Sequence, residues 1–117
     1  MKFMNNLTLT KPVRPAPVET KIDQTAAIAE ANGFILDHLP DRFCAGVPQI
    51  VLFPVSKVWA VPILLSYPEI GPVGEVGVVA VDAELGTVVG WSPLDEVVQA
   101  AEKIYAARKN EIEVAFS

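Results

Sequence analysis

From Val58 to Asp95 the chain reads as two consecutive β-hairpins closed by a capped helix, and no other stretch restricts the fold as much. Val58-Trp-Ala-Val-Pro-Ile-Leu-Leu-Ser66 is strand-like, Tyr67 to Gly74 is a Pro/Gly loop, and Val76 to Asp82 is a second apolar run. The turn Asp82-Ala-Glu-Leu-Gly86 leads into Thr87-Val-Val-Gly-Trp91, and Ser92-Pro93-Leu94-Asp95 opens a helix. The first strand alternates Trp59, Val61, Ile63, Leu65 and Tyr67 with Val58, Ala60, Pro62, Leu64 and Ser66, so both of its faces are apolar. An antiparallel sheet with one wet face alternates apolar with polar instead. The spacing therefore predicts that something covers the second face: a helix, the N-terminal arm or another molecule.

Length bounds the rest. A chain of 117 residues fits one domain with one core. Its residues are 51% hydrophobic, but the apolar run Val58 to Leu65 falls far short of the ~20 residues of a membrane span. The N-terminus has Lys2 but neither the apolar core nor the small-residue site of a signal peptide. The single cysteine, Cys44, makes no internal disulfide. A cytoplasmic protein is the expectation, with no membrane partner. The net charge of −5 disfavours a phosphate-neutralising face and hence nucleic acid. That charge is uneven. Residues 1–22 hold Lys2, Lys11, Arg14 and Lys21 against Glu19, a balance of +3, and residues 23–117 carry −8. A basic arm on an acidic body can fold back, reach a neighbouring subunit or remain a solvated tail.

Residues 1–20 are expected to form an extended arm, because Pro12, Pro15 and Pro17 leave no room for a helix or a central strand. Polyproline-like extension is expected there, with Phe3 and Leu7 available for docking. Residues 21–117 form the domain. Its first helix is predicted from Lys21 to His38, with Thr20 and Asp23 as a capping pair and Ile28, Ala31 and Ile35 on the buried face. Gly33 predicts close packing against another backbone, and Pro40 stops the helix. Val47 to Val55 reads as an edge strand with Pro48 and Pro54 near its ends. In the last helix Ser92 is the expected N-cap, Pro93 the first helical residue and Asp95 the capping-box partner. Leu94, Val97, Val98, Ala101, Ile104, Tyr105 and Arg108 mark one face, which Ile112, Ala115 and Phe116 extend nearly to the end.

Chemistry is sparse. His38 and Cys44 lie on opposite sides of Pro40 and match no zinc spacing, so neither a metal nor a Cys–His pair is expected; His38 suits a helix C-terminus and Cys44 a small apolar site. Gly71-Pro-Val-Gly74-Glu-Val-Gly77 lacks the Lys-Ser/Thr of a phosphate loop and leads into a strand. It reads as a hairpin loop, with a bulge at Gly77, that either serves the architecture or presents Tyr67, Glu69 and Ile70 to a partner. Asp82 suits the turn amides and Gly86 supplies a positive φ. Trp59 and Trp91 are core anchors or, if exposed together, an interface hot spot.

Trp59-Ala-Val-Pro-Ile, followed by Gly77-Val-Val-Ala-Val-Asp82-Ala-Glu-Leu-Gly86-Thr-Val-Val, resembles the strand–strand–turn core of PepSY-like domains and of some small bacterial immunity proteins. The resemblance covers about residues 25–91 and implies a helix before an antiparallel sheet. The long C-terminal helix departs from secreted PepSY domains.

The reading is an α+β domain ordered helix, four antiparallel strands in two hairpins, helix. Its expected role is non-catalytic: a protein-interaction or inhibitory module of antitoxin or immunity type. The expected partner is a protein, a basic one suiting the acidic body, contacted through Trp59, Tyr67, Glu69, Ile70 and Trp91. A homodimer is expected, with no cofactor or metal. The alternatives are a small-molecule binder or minor enzyme using a sheet–helix cavity, with Tyr67, Trp59 or His38 as polar handles, and a self-associating structural subunit.

Overall fold

The computed structural model describes residues 20–52 and 56–115, with the side chain of Ala115 left aside. The prolines of the arm, Pro54 and Phe116 lie outside the described residues. Helix α1 spans Gln24–His38, strands follow at Phe43–Ala45 (β1), Gln49–Leu52 (β2), Lys57–Tyr67 (β3), Gly71–Asp82 (β4) and Val88–Trp91 (β5), and helices α2 (Leu94–Ala107) and α3 (Lys109–Ala115) close the chain. All strand pairs are antiparallel. The long β3 is central: β1 and β2 pair with successive halves of one edge, β4 with the other, and β5 joins β4. The mixed α+β class and the order of elements are those expected, and the short β1 adds a fifth strand. No helix among the described residues is long and apolar enough to cross a membrane.

Two helix starts differ from expectation. The N-cap of α1 is Asp23, whose side chain accepts from Ala26 N at 2.8 Å, while Thr20 Oγ1 donates to Ile22 O at 2.6 Å. Ile22 is tied down before the helix begins, since its N–H donates to Ala83 O and its carbonyl accepts from Trp59 Nε1 at 2.8 Å. The helix therefore starts at Gln24 rather than Lys21. At α2 the cap is Pro93, without a side-chain bond. Ser92 Oγ instead accepts from Val78 N at 3.0 Å and Ser92 N donates to Val78 O at 2.9 Å, so the serine extends the β4–β5 ladder. The terminal helix also does not run through, because it breaks at Arg108, and α3 begins at Lys109. Gly33 is exposed with nothing within 4 Å of a Cβ position, which corrects the expected close packing.

Other local expectations hold. His38 Nδ1 lies 2.9 Å from Phe34 O in the last turn of α1. Asp82 Oδ1 accepts from Glu84 N and Leu85 N at 2.7 and 2.8 Å, and Gly86 takes φ +76° in that turn. The first hairpin is tighter than its Pro/Gly content predicts, because β4 starts at Gly71 and two bulges absorb Val73 and Val76. An extra residue breaks the alternation of a strand. Here it lets both valines join the core that Val79 and Val81 face.

That core has one side. Ala27, Ala31 and Ile35 of α1 and Val97 and Ala101 of α2 pack with Val61, Ile63, Leu65, Val79 and Val81. Neither α1 nor α2 covers the opposite face of the sheet. There Ala60, Pro62, Leu64 and Ala80 are half-buried, and Val51 and Val78 are 39% and 37% exposed.

Candidate functional site

The inward residues near the end of β3 are Leu65 and Tyr67, and antiparallel pairing sets Phe43 of β1 beside Leu65. Across from them α2 presents Val98, Ala101, Glu102 and Tyr105, a helical i, i+3, i+4, i+7 stripe. The loop after α1, Pro40 to Arg42, closes the third side. These three segments line an open groove of about 300 Å³. It exists because α1 ends at His38 while β3 runs on to Tyr67, so α1 leaves the last inward residues of the sheet to α2 alone.

Arg42 is the conformational exception at this site. Its φ is +90°, in the region that favours glycine, and it is the sole non-glycine residue with positive φ among those described. The carbonyl of Arg42 accepts from Ser66 N at 2.7 Å, and the guanidinium carbon stands 5.6 Å from the Tyr67 ring centroid. The backbone bond and the cation–π contact hold the residue in a conformation it would otherwise avoid. Tyr105 is the second phenol. Its hydroxyl donates to Glu113 Oε2 at 3.2 Å. Desolvation pushes its pKa up, and the hydrogen bond and charge of Glu113 push it the same way. Asp41 and Glu102 add carboxylates at the exposed rim. The groove offers three aromatic side chains, an aliphatic floor, the Arg42 guanidinium laid on Tyr67 and two carboxylates at the rim, a surface suited to an extended apolar segment carrying positive charge.

The five expected contact residues do not form one site. Tyr67 lines the groove, and Glu69 and Ile70 belong to the adjoining turn, where Ile70 N donates to Tyr67 O at 3.1 Å. Trp59 lies at the other end of β3, half-buried and bonded to Ile22. Trp91 is on the edge strand β5, 51% exposed, with its ring 4.8 Å from that of Phe34. His38 stacks on Phe34 outside the groove, and Cys44 sits opposite Leu64, on the other face of the sheet from Phe43. Among the described residues no group of three or more His, Cys, Asp or Glu side chains converges for a metal ion.

Of the groove residues, sequence reasoning named Tyr67 as a contact and missed the rest, Asp41, Arg42, Phe43, Glu102 and Tyr105 among them. One signal was available: the apolar stripe of α2 is wider than one buried face needs. Val97 is fully buried, whereas Val98 and Tyr105 are each 36% exposed. No family model, curated protein or solved structure matches this chain.

Proposed function

We propose that this protein is a non-catalytic interaction module that binds an extended segment of a protein in the groove between β3 and α2. The observation that carries the reading is the groove: Tyr67, Tyr105 and Phe43 over Leu65 and Val98, open to solvent, with Asp41 and Glu102 at the rim. Tyrosine suits such a surface because it buries a large rigid area at little entropic cost while keeping a polar tip. Small-molecule sites are usually concave and enclose most of the ligand. An open-sided trough better fits a chain that passes through it. The acidic rim agrees with the net charge of −5 in favouring a basic partner. An inhibitory role of immunity type accords with this mode of binding, since occupying a partner's segment is enough to block it.

The test is a titration of the isotope-labelled protein with short extended peptides, one basic and proline-rich, one neutral and one acidic. Saturable chemical-shift changes at Leu65, Tyr67, Val98 and Tyr105 are expected, largest with the basic peptide. Changes centred elsewhere, or no saturation with any peptide, would sink the reading.

A further inference from the structure

We infer that the groove's occupant is the proline-rich arm of a second copy of this chain, so that the protein self-associates by exchanging arms. This rests on the groove being a segment-binding site. The arm contains Pro12-Val-Arg-Pro15-Ala-Pro17, flanked by Lys11. Proline-rich segments dock on aromatic-lined grooves because their fixed φ lowers the ordering entropy lost on binding. The charges are complementary as well: the segment carries Lys11 and Arg14, and the rim carries Asp41 and Glu102.

Chain length selects a second copy over the arm's own groove. The arm joins the domain at Thr20, next to Ile22, whose carbonyl holds Trp59 at one end of β3. Leu65 and Tyr67 lie six to eight residues farther along that strand, roughly 20–26 Å away at ~3.3 Å per residue. A fully extended chain gains at most ~3.3–3.6 Å per residue, so Pro17 reaches about 10 Å from Thr20 and Pro15 about 17 Å. Neither reaches its own groove; Pro12 reaches about 25 Å in polyproline extension, so the segment can touch its own groove with its first residues but cannot lie along it. In a second copy the same stretch meets no such limit.

The decisive experiment combines mass with a mixed-label measurement on the full chain. Sedimentation equilibrium is expected to give a concentration-dependent rise from 12.6 kDa toward twice that mass. Lys11→Glu with Arg14→Glu, and separately Glu102→Lys, are each expected to weaken association by about tenfold. Circular dichroism should remain unchanged in Glu102→Lys, because Glu102 is exposed. A spin label on Thr10→Cys in a Cys44→Ala background, mixed with unlabelled isotope-enriched protein, is expected to broaden Tyr67, Val98 and Tyr105 of the enriched copy. A mass of 12.6 kDa at every concentration overturns arm exchange. So does dimerisation without broadening at the groove. If a basic proline-rich peptide saturates the groove of that monomer, segment binding survives and only the occupant is wrong. If no peptide does, both fall.

Discussion

At the scale of single residues, Arg42 offers the sharpest test of the backbone. Side chains rarely adopt a φ near +90°, and a left-handed conformation costs an L-residue ~1–2 kcal/mol that glycine escapes. Arg42→Gly and Arg42→Ala both lose the contact with the Tyr67 ring. They differ chiefly in that strain. The glycine variant is therefore expected to be more stable than the alanine variant by about 1 kcal/mol in urea denaturation. Equal midpoints would mean that Arg42 carries no strain. Tyr67 was legible as a contact residue because it sits at a turn. Arg42 and Tyr105 were not, since the groove joins segments near residues 41, 66 and 102 that no local spacing links.

At the scale of elements, the hairpins were legible and the helix caps were not. Period-two alternation over β3 and the Asp82–Gly86 turn are local signals that tertiary contacts did not override. Ser-Pro-Leu-Asp is an equally local signal, yet the Ser92 hydroxyl found another donor in Val78 N. Ser92→Ala is thus expected to cost about 1 kcal/mol by removing a strand bond rather than a cap. Its signature is faster hydrogen exchange at the Val78 amide, with the first turn of α2 unchanged; faster exchange in α2 would restore Ser92 as the cap. Within α2, Val97 has no exposure and Ile104 is only half-buried. Val97→Ala should cost roughly 2 kcal/mol despite removing fewer atoms, and Ile104→Ala no more than that. A clearly larger loss for Ile104 in urea denaturation would move the buried face of α2.

The joint between α2 and α3 has a pH dependence of known sign. Arg108 bonds Glu111 through Nε and Nη2, both at 2.8 Å, and Nη1 donates to Val73 O. The hydrogen bonds, then the guanidinium charge, hold the Glu111 carboxyl below the usual range. A lowered carboxylate pKa stabilises the fold above the unfolded-state value, and that contribution fades as pH falls through the folded value. Carbon-detected titration should place Glu111 below the usual carboxylate range, and Arg108→Gln should raise it. An unshifted Glu111 would show that the pair does not persist in solution.

At the scale of the molecule, the proposed self-association has two candidate surfaces, and they would respond oppositely to salt. The apolar composition of β3 predicted a covered second face, but neither α1 nor α2 covers it, which leaves Val51 and Val78 exposed. What meets that face depends on contacts beyond the pattern of one strand, which is why alternation revealed the need but not the cover. The groove, by contrast, would draw the arm through opposite charge, with +3 on residues 1–22 and −8 on the remainder. Screening shortens from about 10 Å at 0.1 M to about 3 Å at 1 M salt. Contact between apolar faces does not weaken this way, and strongly hydrated salts strengthen it. If arms exchange, the dimer dissociation constant should rise severalfold between about 0.05 and about 0.5 M sodium chloride. Fold stability should hardly move, because the Arg108–Glu111 and Lys109–Glu113 pairs are exposed and surface ion pairs contribute little. Sedimentation equilibrium at the two salt concentrations, with urea denaturation alongside, separates the cases. A dimer that tightens with salt would assign the interface to the open sheet face and leave the groove for another partner.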